Sequence, residues 1–173
     1  FDSLEDLADR IDDDALDVTK DDVLVLRNAG PKGAPGMPEA GYIPIPKKLA
    51  VQGVKDMVRI SDCRMSGTAF GAIVLHADPE AAMGGPLALV QSGDMIHLDV
   101  PNRSLSLDVD DAEMERRRSN WTPPPASGEQ RGYNKLFMDQ VNQAGEGVDF
   151  DFLTRRPFTE KTPYQVAPLT NPH

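Results

Sequence analysis

Two side chains that can do chemistry stand in glycine- and proline-rich loops of this 173-residue chain. Glu39 lies in a first loop, residues 32–41, and Ser66 lies in a second loop, residues 62–71. Loops held on a rigid scaffold often carry function, and glycine permits tight bends and close approaches that other residues forbid. A carboxylate such as that of Glu39 suits a hard cation such as magnesium.

The Ser66 hydroxyl can act as a nucleophile or proton carrier only when another group activates it. The sequence around Ser66 shows no histidine–aspartate pair, so the activation has to come from elsewhere. A structural role is the alternative, in which the hydroxyls of Ser66 and Thr68 bond to the amides of a turn. Arg64 can bind a substrate carboxylate or pair with Asp62 in a buried contact.

Composition narrows the class of protein. The chain carries 28 acidic and 18 basic residues, for a net charge of −10 at pH 7, which argues against nucleic acid as a partner. We expect no membrane partner either, because no apolar run approaches the roughly 20 residues of a membrane span, and the cytoplasm is the default compartment. The single cysteine, Cys63, excludes an internal disulfide and cannot alone hold an iron–sulfur cluster. We interpret it as a small buried side chain.

Short apolar runs and turn signals predict the elements that position these loops. Ser3 is the predicted cap of a helix over residues 3–11, and buried strands are predicted at residues 23–27, 57–60 and 72–76. Residues 95–100 and 105–109 alternate in polarity and predict a hairpin, followed by a charged helix over residues 111–121. Because long helices do not alternate with the strands, we predict a compact, β-rich α/β domain rather than a doubly wound sheet.

The chain divides into a main domain and an arm. Residues 1–122 form the predicted domain, and residues 123–153 form a linker, opened by three prolines, and an isolated helical arm docked on a partner surface. Residues 154–173 are a predicted poorly ordered tail without an assigned role. The chain begins at Phe1 rather than at Met, so we expect a piece of a longer protein, with a processed mature protein as the alternative.

Several motifs in one order resemble the C-terminal domain of the dihydroxy-acid dehydratase / phosphogluconate dehydratase family, over residues 1–153. They are Gly-Ala-Pro-Gly-Met-Pro-Glu at 33–39, Asp-x-Arg-Met-Ser-Gly at 62–67, Pro-Glu-Ala-Ala at 79–82, Gly-Gly-Pro at 84–86 and Gly-Asp at 93–94. The sequence of residues 64–71 is similar to the sugar-acid branch, of which arabinonate and xylonate dehydratases are examples. Branched-chain biosynthetic dehydratases tend to read Arg-Phe-Ser-Gly-Gly-Thr there.

The resemblance implies a fold, a reaction and cofactors. The fold would be a swivelling β/β/α domain, like the mobile domain of aconitases, packed on a larger N-terminal α/β domain. The reaction would remove water from an aldonate, a 2,3-dihydroxy carboxylate, to give a 2-keto-3-deoxy acid. Family members use Mg²⁺ and an iron–sulfur cluster, [2Fe-2S] in the sugar-acid branch and [4Fe-4S] in other relatives. The cluster cysteines and most magnesium ligands would belong to the N-terminal domain, and the assembly would be a homodimer or homotetramer.

The resemblance also implies roles for four residues. Ser66 would accept the substrate proton, with Thr68 orienting it or the substrate, and Ser66 and Arg64 would contact the substrate. Glu39 would be a magnesium ligand, and an ordinary loop carboxylate is its alternative. The expected function is therefore the C-terminal part of an aldonate dehydratase. The alternatives are a dihydroxy-acid dehydratase of branched-chain synthesis and a non-catalytic swivelling module.

Overall fold

The structure is a computed structural model that describes residues 1–125, 128 and 131–154. Its helices and strands are short and are joined by long loops. The described elements are α1 (Leu4–Arg10), β1 (Leu24–Leu26), α2 (Lys47–Val51), β2 (Arg59–Ser61), β3 (Ile73–Val74), β4 (Ile96–Asp99), β5 (Ser104–Leu107), α3 (Asp111–Asn120), α4 (Gly132–Gln140) and α5 (Asp151–Thr154). No helix among these residues is long and apolar enough to cross a membrane.

A three-stranded parallel sheet, in the order β1-β2-β3, forms the centre of the chain. Its register sets Arg59 opposite Leu24 on one side and opposite Ile73 on the other. The middle strand β2 is buried throughout, as is typical of a parallel strand covered on both faces. The predicted strand positions and the mixed α/β class are confirmed, although the strands are only two to four residues long.

The apolar core lies on both sides of this sheet. On one side α1 and α2 pack through Leu7 and Leu49 against Leu26 of β1. On the other side Ile60 of β2 packs with Ala81 and Leu87, which belong to short 3-10 turns. The predicted cap of α1 is confirmed, because the Ser3 hydroxyl accepts a hydrogen bond from the amide of Asp6 at 3.2 Å.

The predicted hairpin and charged helix are also confirmed. Strands β4 and β5 pair antiparallel, with His97 opposite Ser106. Helix α3 begins after Asp110, whose carboxylate accepts from the amide of Glu113 at 2.8 Å. We call residues 94–121 the hairpin–helix region, since Arg117 of α3 binds Asp94 before the hairpin at 2.6 Å.

The C-terminal arm contacts this chain's own first loop. Phe137 and Val141 of the arm are buried against Met37, and the Lys32 ammonium donates to the carbonyl of Met138 at 3.0 Å. The prediction of an isolated arm is therefore wrong. Helix α4 also ends at Gln140, before the end of the helical spacing that the sequence shows over residues 133–144, because Val141 turns to extended backbone and bridges to Phe150. The predicted tail lies outside the described residues except for Thr154.

Candidate active site

The first and second loops lie side by side, as their shared backbone contact shows. The amide of Gly41 donates to the carbonyl of Arg64 at 2.8 Å, and Nε of Arg64 donates to the carbonyl of Met37 at 2.7 Å. Glycine at position 41 suits this approach, because a Cβ there would lie 3.0 Å from the carbonyl oxygen of Arg64 and would also displace the Leu75 side chain. The structure therefore brings the two loops that the sequence singled out onto one surface.

Arg64 pairs with Glu39 across this contact. Nη1 of Arg64 lies 2.6 Å from Oε1 of Glu39, and the two side chains are 45% and 46% exposed. The alternative in which Arg64 pairs with Asp62 is wrong. A cation and a carboxylate, each still accessible to a ligand, thus stand together at the junction of the loops.

Asp62 anchors the second loop to the backbone instead. Its buried carboxylate accepts from the amides of Asn28 at 3.1 Å, Ala29 at 3.0 Å and Ala81 at 3.0 Å. Burial raises the pKa of this carboxyl above its ordinary value, and the amide donors act in the opposite direction. Asp62 therefore holds the start of the second loop close to residues 28 and 29, which follow β1 and precede the first loop.

Ser66 and Thr68 form a pair of hydroxyls at the exposed part of the second loop. Their oxygens Oγ and Oγ1 are 3.0 Å apart, and the amide of Thr68 donates weakly to Oγ of Ser66 at 3.4 Å. Ser66 is half-buried and Thr68 is exposed. The structure therefore shows the contact with a turn amide that a purely structural role predicts. It also shows a neighbouring hydroxyl, that of Thr68, which could orient Ser66.

Glu80 is a buried residue of the site that sequence reasoning missed. Its carboxylate accepts from the amides of Lys32 at 2.8 Å and Gly33 at 3.0 Å, and from Nε2 of Gln143 at 2.6 Å. Burial raises its pKa, and the nearby charge of Asp62 adds to the effect. Glu80 fixes the start of the first loop and joins it to the arm, and the Pro-Glu-Ala-Ala motif at residues 79–82 was its only signal.

A second missed residue is Arg59, in the middle strand of the parallel sheet. It is 1% exposed, and its guanidinium donates to the carbonyls of Tyr42 and Phe70. Phe70 belongs to the second loop, and Tyr42 follows directly after the first. The available signal was a charged residue inside an otherwise apolar strand.

The donor set fits part of a magnesium site and does not fit an iron–sulfur cluster. Glu39 offers an accessible carboxylate, the ligand type that magnesium prefers. The part of the chain that the structure describes has no group of three or more His, Cys, Asp or Glu side chains able to hold a metal. Cys63 is fully buried and its thiol contacts the carbonyl of Arg64. Burial raises its pKa, which disfavours the thiolate that a cluster needs.

Comparison with known sequences assigns the family. Residues 1–148 match the family described as dihydroxy-acid/6-phosphogluconate dehydratase, C-terminal. The chain belongs to this family. The resemblance found in the motifs of the two loops is thereby confirmed.

Similar proteins include several dehydratases. The chain is 56% identical over 153 residues to a 6-deoxy-6-sulfo-D-gluconate dehydratase of Pseudomonas putida, covering 88% of the chain and 26% of that protein. It is 51% identical over 156 residues to an L-arabinonate dehydratase of Rhizobium leguminosarum, with the same coverage of 88% and 26%. It is 42% identical over 151 residues to a dihydroxy-acid dehydratase of Desulfosudis oleivorans, covering 87% of the chain and 26% of that protein. The chain thus spans about a quarter of the length of these curated relatives.

Proposed function

We propose that the chain is the C-terminal part of a hydro-lyase that dehydrates a sugar acid (an aldonate) to a 2-keto-3-deoxy acid. The observation that carries the proposal is the contact between the two loops, which pairs Glu39 with Arg64, two residues before Ser66 in the chain. The names of the relatives favour the sugar-acid branch. Relatives named for sugar acids are 51% to 56% identical, against 42% to 48% for those named dihydroxy-acid dehydratases.

The proposed reaction breaks the C2–H and C3–O bonds of a 2,3-dihydroxy carboxylate. The proton of C2 passes to Oγ of Ser66, and the electron pair of the C–H bond forms the C2–C3 double bond. The C3 hydroxyl leaves and takes up the proton that Ser66 accepted, so that water is released and Ser66 returns to the form that can accept a proton. The resulting enol tautomerises to the 2-keto acid, and the atoms of substrate and products balance.

Ser66 can accept this proton only as a general base with a lowered pKa. Thr68, with its hydroxyl 3.0 Å away, can donate a hydrogen bond to a Ser66 alkoxide and orient it. The two hydroxyls therefore act as a base and its positioning partner.

Arg64 is suited to bind the substrate carboxylate. A guanidinium binds a carboxylate with two parallel hydrogen bonds. Nε of Arg64 is already held by the carbonyl of Met37, so the cation projects in a fixed direction with Nη1 at Glu39. Substrate bound there would extend over the loop that carries Ser66.

Glu39 would be the residue of this chain that binds Mg²⁺. Bound Mg²⁺ would supply positive charge that balances the substrate carboxylate and lowers the pKa of nearby hydroxyls. Glu39 now shares its carboxylate with Arg64, so metal and guanidinium would divide the two carboxylate oxygens or compete for them. The first loop, bound by Glu80 at its start, holds this carboxylate in place.

The parts of the proposed enzyme that lie outside this chain are inferred from its membership of the family. We propose that an N-terminal domain supplies the iron–sulfur cluster, [2Fe-2S] by analogy with the sugar-acid branch, and the remaining magnesium ligands. We assign the chain to the swivelling β/β/α type of domain and the whole protein to a homodimer or homotetramer on the same ground. The cluster takes no ligand from this chain in this proposal, since Cys63 is buried against the loop backbone.

A substrate panel tests the proposal. The full-length protein, loaded with its metals, is offered a pentonate, a hexonate and a branched 2,3-dihydroxy acid with an apolar C3 substituent, and the 2-keto acid formed is measured. We expect turnover of at least one aldonate at a higher kcat/KM than that of the branched acid. Preference for the branched acid would favour a dihydroxy-acid dehydratase. If no 2,3-dihydroxy acid is turned over, the alternative of a non-catalytic swivelling module is favoured.

A further inference from the structure

Arg59 is a charged side chain placed where charge is costly. It lies in the buried middle strand β2 and is 1% exposed. A buried cation destabilises a fold unless its N–H groups all find acceptors. No buried side-chain nitrogen or oxygen among the described residues lacks a hydrogen bond, so the surroundings are built to hold this guanidinium.

The acceptors of Arg59 come from three separate segments of the chain. Nε donates to the carbonyl of Met57 at 3.1 Å, just before the strand. Nη1 donates to the carbonyl of Tyr42 at 2.9 Å, directly after the first loop. Nη2 donates to the carbonyl of Phe70 at 3.2 Å, inside the second loop. One rigid planar group thus binds the sheet and both loops.

The backbone of the second loop passes directly over this group as it returns to the sheet. Gly71 has a φ of +113°, and a Cβ there would lie 2.2 Å from Nη2 of Arg59. Asp56 pairs with the same Nη2 and also accepts from the amide of Ala72 at 2.9 Å. The returning backbone is therefore fixed on both sides of Gly71, at the carbonyl of Phe70 by Arg59 and at the amide of Ala72 by its counterion Asp56.

Aromatic contacts add to the same connection. The guanidinium carbon of Arg59 lies 4.8 Å from the ring centroid of Tyr42, a cation–π distance. The Tyr42 ring in turn lies 6.3 Å from that of Phe70. The chain segments after the first loop and at the end of the second loop are thus joined through both backbone and side chains of Tyr42 and Phe70.

We propose that Arg59 is a positioning residue that sets the place of Ser66 relative to Arg64 and Glu39. The inference rests on the proposed dehydration. At one end the loops are joined by the contact of Gly41 with Arg64, and at the other end Arg59 sets the return of the second loop. Lysine cannot replace it, because an ammonium lacks the planar fork that reaches three carbonyls at once.

The experiment compares Arg59→Lys with the wild type in the full-length protein, with an aldonate carrying hydrogen or deuterium at C2. A displacement of about 1 Å at a reacting group can cost about 100-fold in rate. We expect kcat to fall by about 10- to 100-fold, with KM little changed and a larger deuterium isotope effect on kcat. A variant that merely has fewer folded molecules would lose kcat while keeping the wild-type isotope effect, and that result would overturn the proposal.

Arg27→Lys is the matched control. Arg27 also bonds two carbonyl groups, those of Ala88 and Val90, and pairs with Asp2, but all three partners lie outside both loops. We expect its kcat and isotope effect to equal those of the wild type. Equal losses in the Arg27 and Arg59 variants would show a general effect of removing a guanidinium and would overturn the inference.

Tyr42→Leu keeps the test decisive if Arg59→Lys does not fold. The Tyr42 ring is 36% exposed, and leucine keeps the backbone carbonyl while removing the ring from the guanidinium. We expect a smaller loss of kcat with the same rise in isotope effect, and an unchanged isotope effect would overturn the inference. If the wild type dehydrates no aldonate, the proposed function itself is wrong. If the wild type is active and the variants behave like it, only the role proposed for Arg59 is wrong.

Discussion

The two loops and the hairpin–helix region differ in what binds their least exposed carboxylates. At the loops, the buried carboxylates of Asp62 and Glu80 accept from backbone amides. In the hairpin–helix region, Asp94 and Glu113 both bind the side chain of Arg117, and Asp94 also accepts from the amide of Gln91 at 2.7 Å. Carboxylates bonded to backbone amides fix the course of the chain, whereas side-chain ion pairs fix only how one element packs against another.

The direction of the pKa shifts follows the same division. Burial raises the pKa values of Asp62 and Glu80. Hydrogen bonds from Arg116 and Arg117 lower the pKa of Glu113 to about 2. Desolvation thus outweighs the hydrogen bonds at Asp62 and Glu80, whereas the arginine hydrogen bonds outweigh it at Asp94 and Glu113, and costs of the first kind are common at functional sites. Substitutions at the loops should therefore have larger effects than the same substitutions in the hairpin–helix region.

Ser66→Ala gives the largest expected effect. Removing a general base costs typically about 100- to 10,000-fold in kcat, and we expect a loss of kcat in this range for aldonate dehydration. Steady-state kinetics of the full-length protein measures it, with magnesium content checked to show that the metal site is intact. Activity within a few-fold of the wild type would show that Ser66 is not the base and serves only its contact within the turn.

Ser106→Ala is the control for that substitution in the hairpin–helix region. Ser106 is exposed on β5, opposite His97, and it has no partner in the proposed reaction. We expect its kcat and KM to match the wild type. A loss at Ser106 as large as that at Ser66 would mean that the two regions are not functionally distinct.

Asp62→Asn should give the largest loss of stability. The asparagine amide would present N–H groups to backbone amides that now donate to a carboxylate, so buried donors would be left unpaired. The expected cost is about 3 kcal/mol in the free energy of unfolding, measured by urea denaturation. Asp108→Asn, at a side chain that is 72% exposed, should change it by less than about 0.5 kcal/mol. Equal costs would show that the backbone contacts of Asp62 add nothing.

Local signals in the sequence were enough to predict most elements. Ser3 and the following apolar spacing predicted α1, and the alternation around the turn after Asp99 predicted the hairpin. Gly and Pro marked the two loops, because these residues set backbone angles that the neighbours cannot change. Each of these signals acts within a few residues, where sequence distance and spatial distance agree.

The missing parts depend on contacts between distant segments. Lys32 and Met138 meet across 106 positions, so no local pattern could show that the arm covers the first loop. Glu80 and Arg59 bond mainly to backbone amides and carbonyls, which every residue carries, so their partners left no trace in the sequence. For Arg64 the sequence offered Asp62 as an acidic partner, but Asp62 is buried among amides, and the partner found, Glu39, lies 25 positions away in the chain.

Glu39→Gln should weaken magnesium binding to the full-length protein. The substitution keeps an oxygen donor but removes a negative charge close to the cation, and we expect a rise in Kd of about tenfold. Calorimetric titration with Mg²⁺ alone measures it without recourse to activity. Glu115→Gln on α3, where Glu115 is 72% exposed, should leave Kd unchanged. An unchanged Kd for Glu39→Gln as well would leave Glu39 as the partner of Arg64 only.

Arg117→Met should give the smallest effect, and one that depends on pH. Arg117 lowers the pKa of Asp94 from 3.8, and Arg116 and Arg117 together lower the pKa of Glu113 from 4.5 to about 2. A carboxyl whose pKa is lower in the folded state stabilises the fold above its ordinary pKa, and this contribution is lost as pH falls through the folded value. The variant should therefore have a lower urea midpoint than the wild type at pH 7, and the difference should shrink as the pH approaches about 2. A difference that stays constant over this range would show that Arg117 acts through its contact with the carbonyl of Leu89 rather than through the carboxylates.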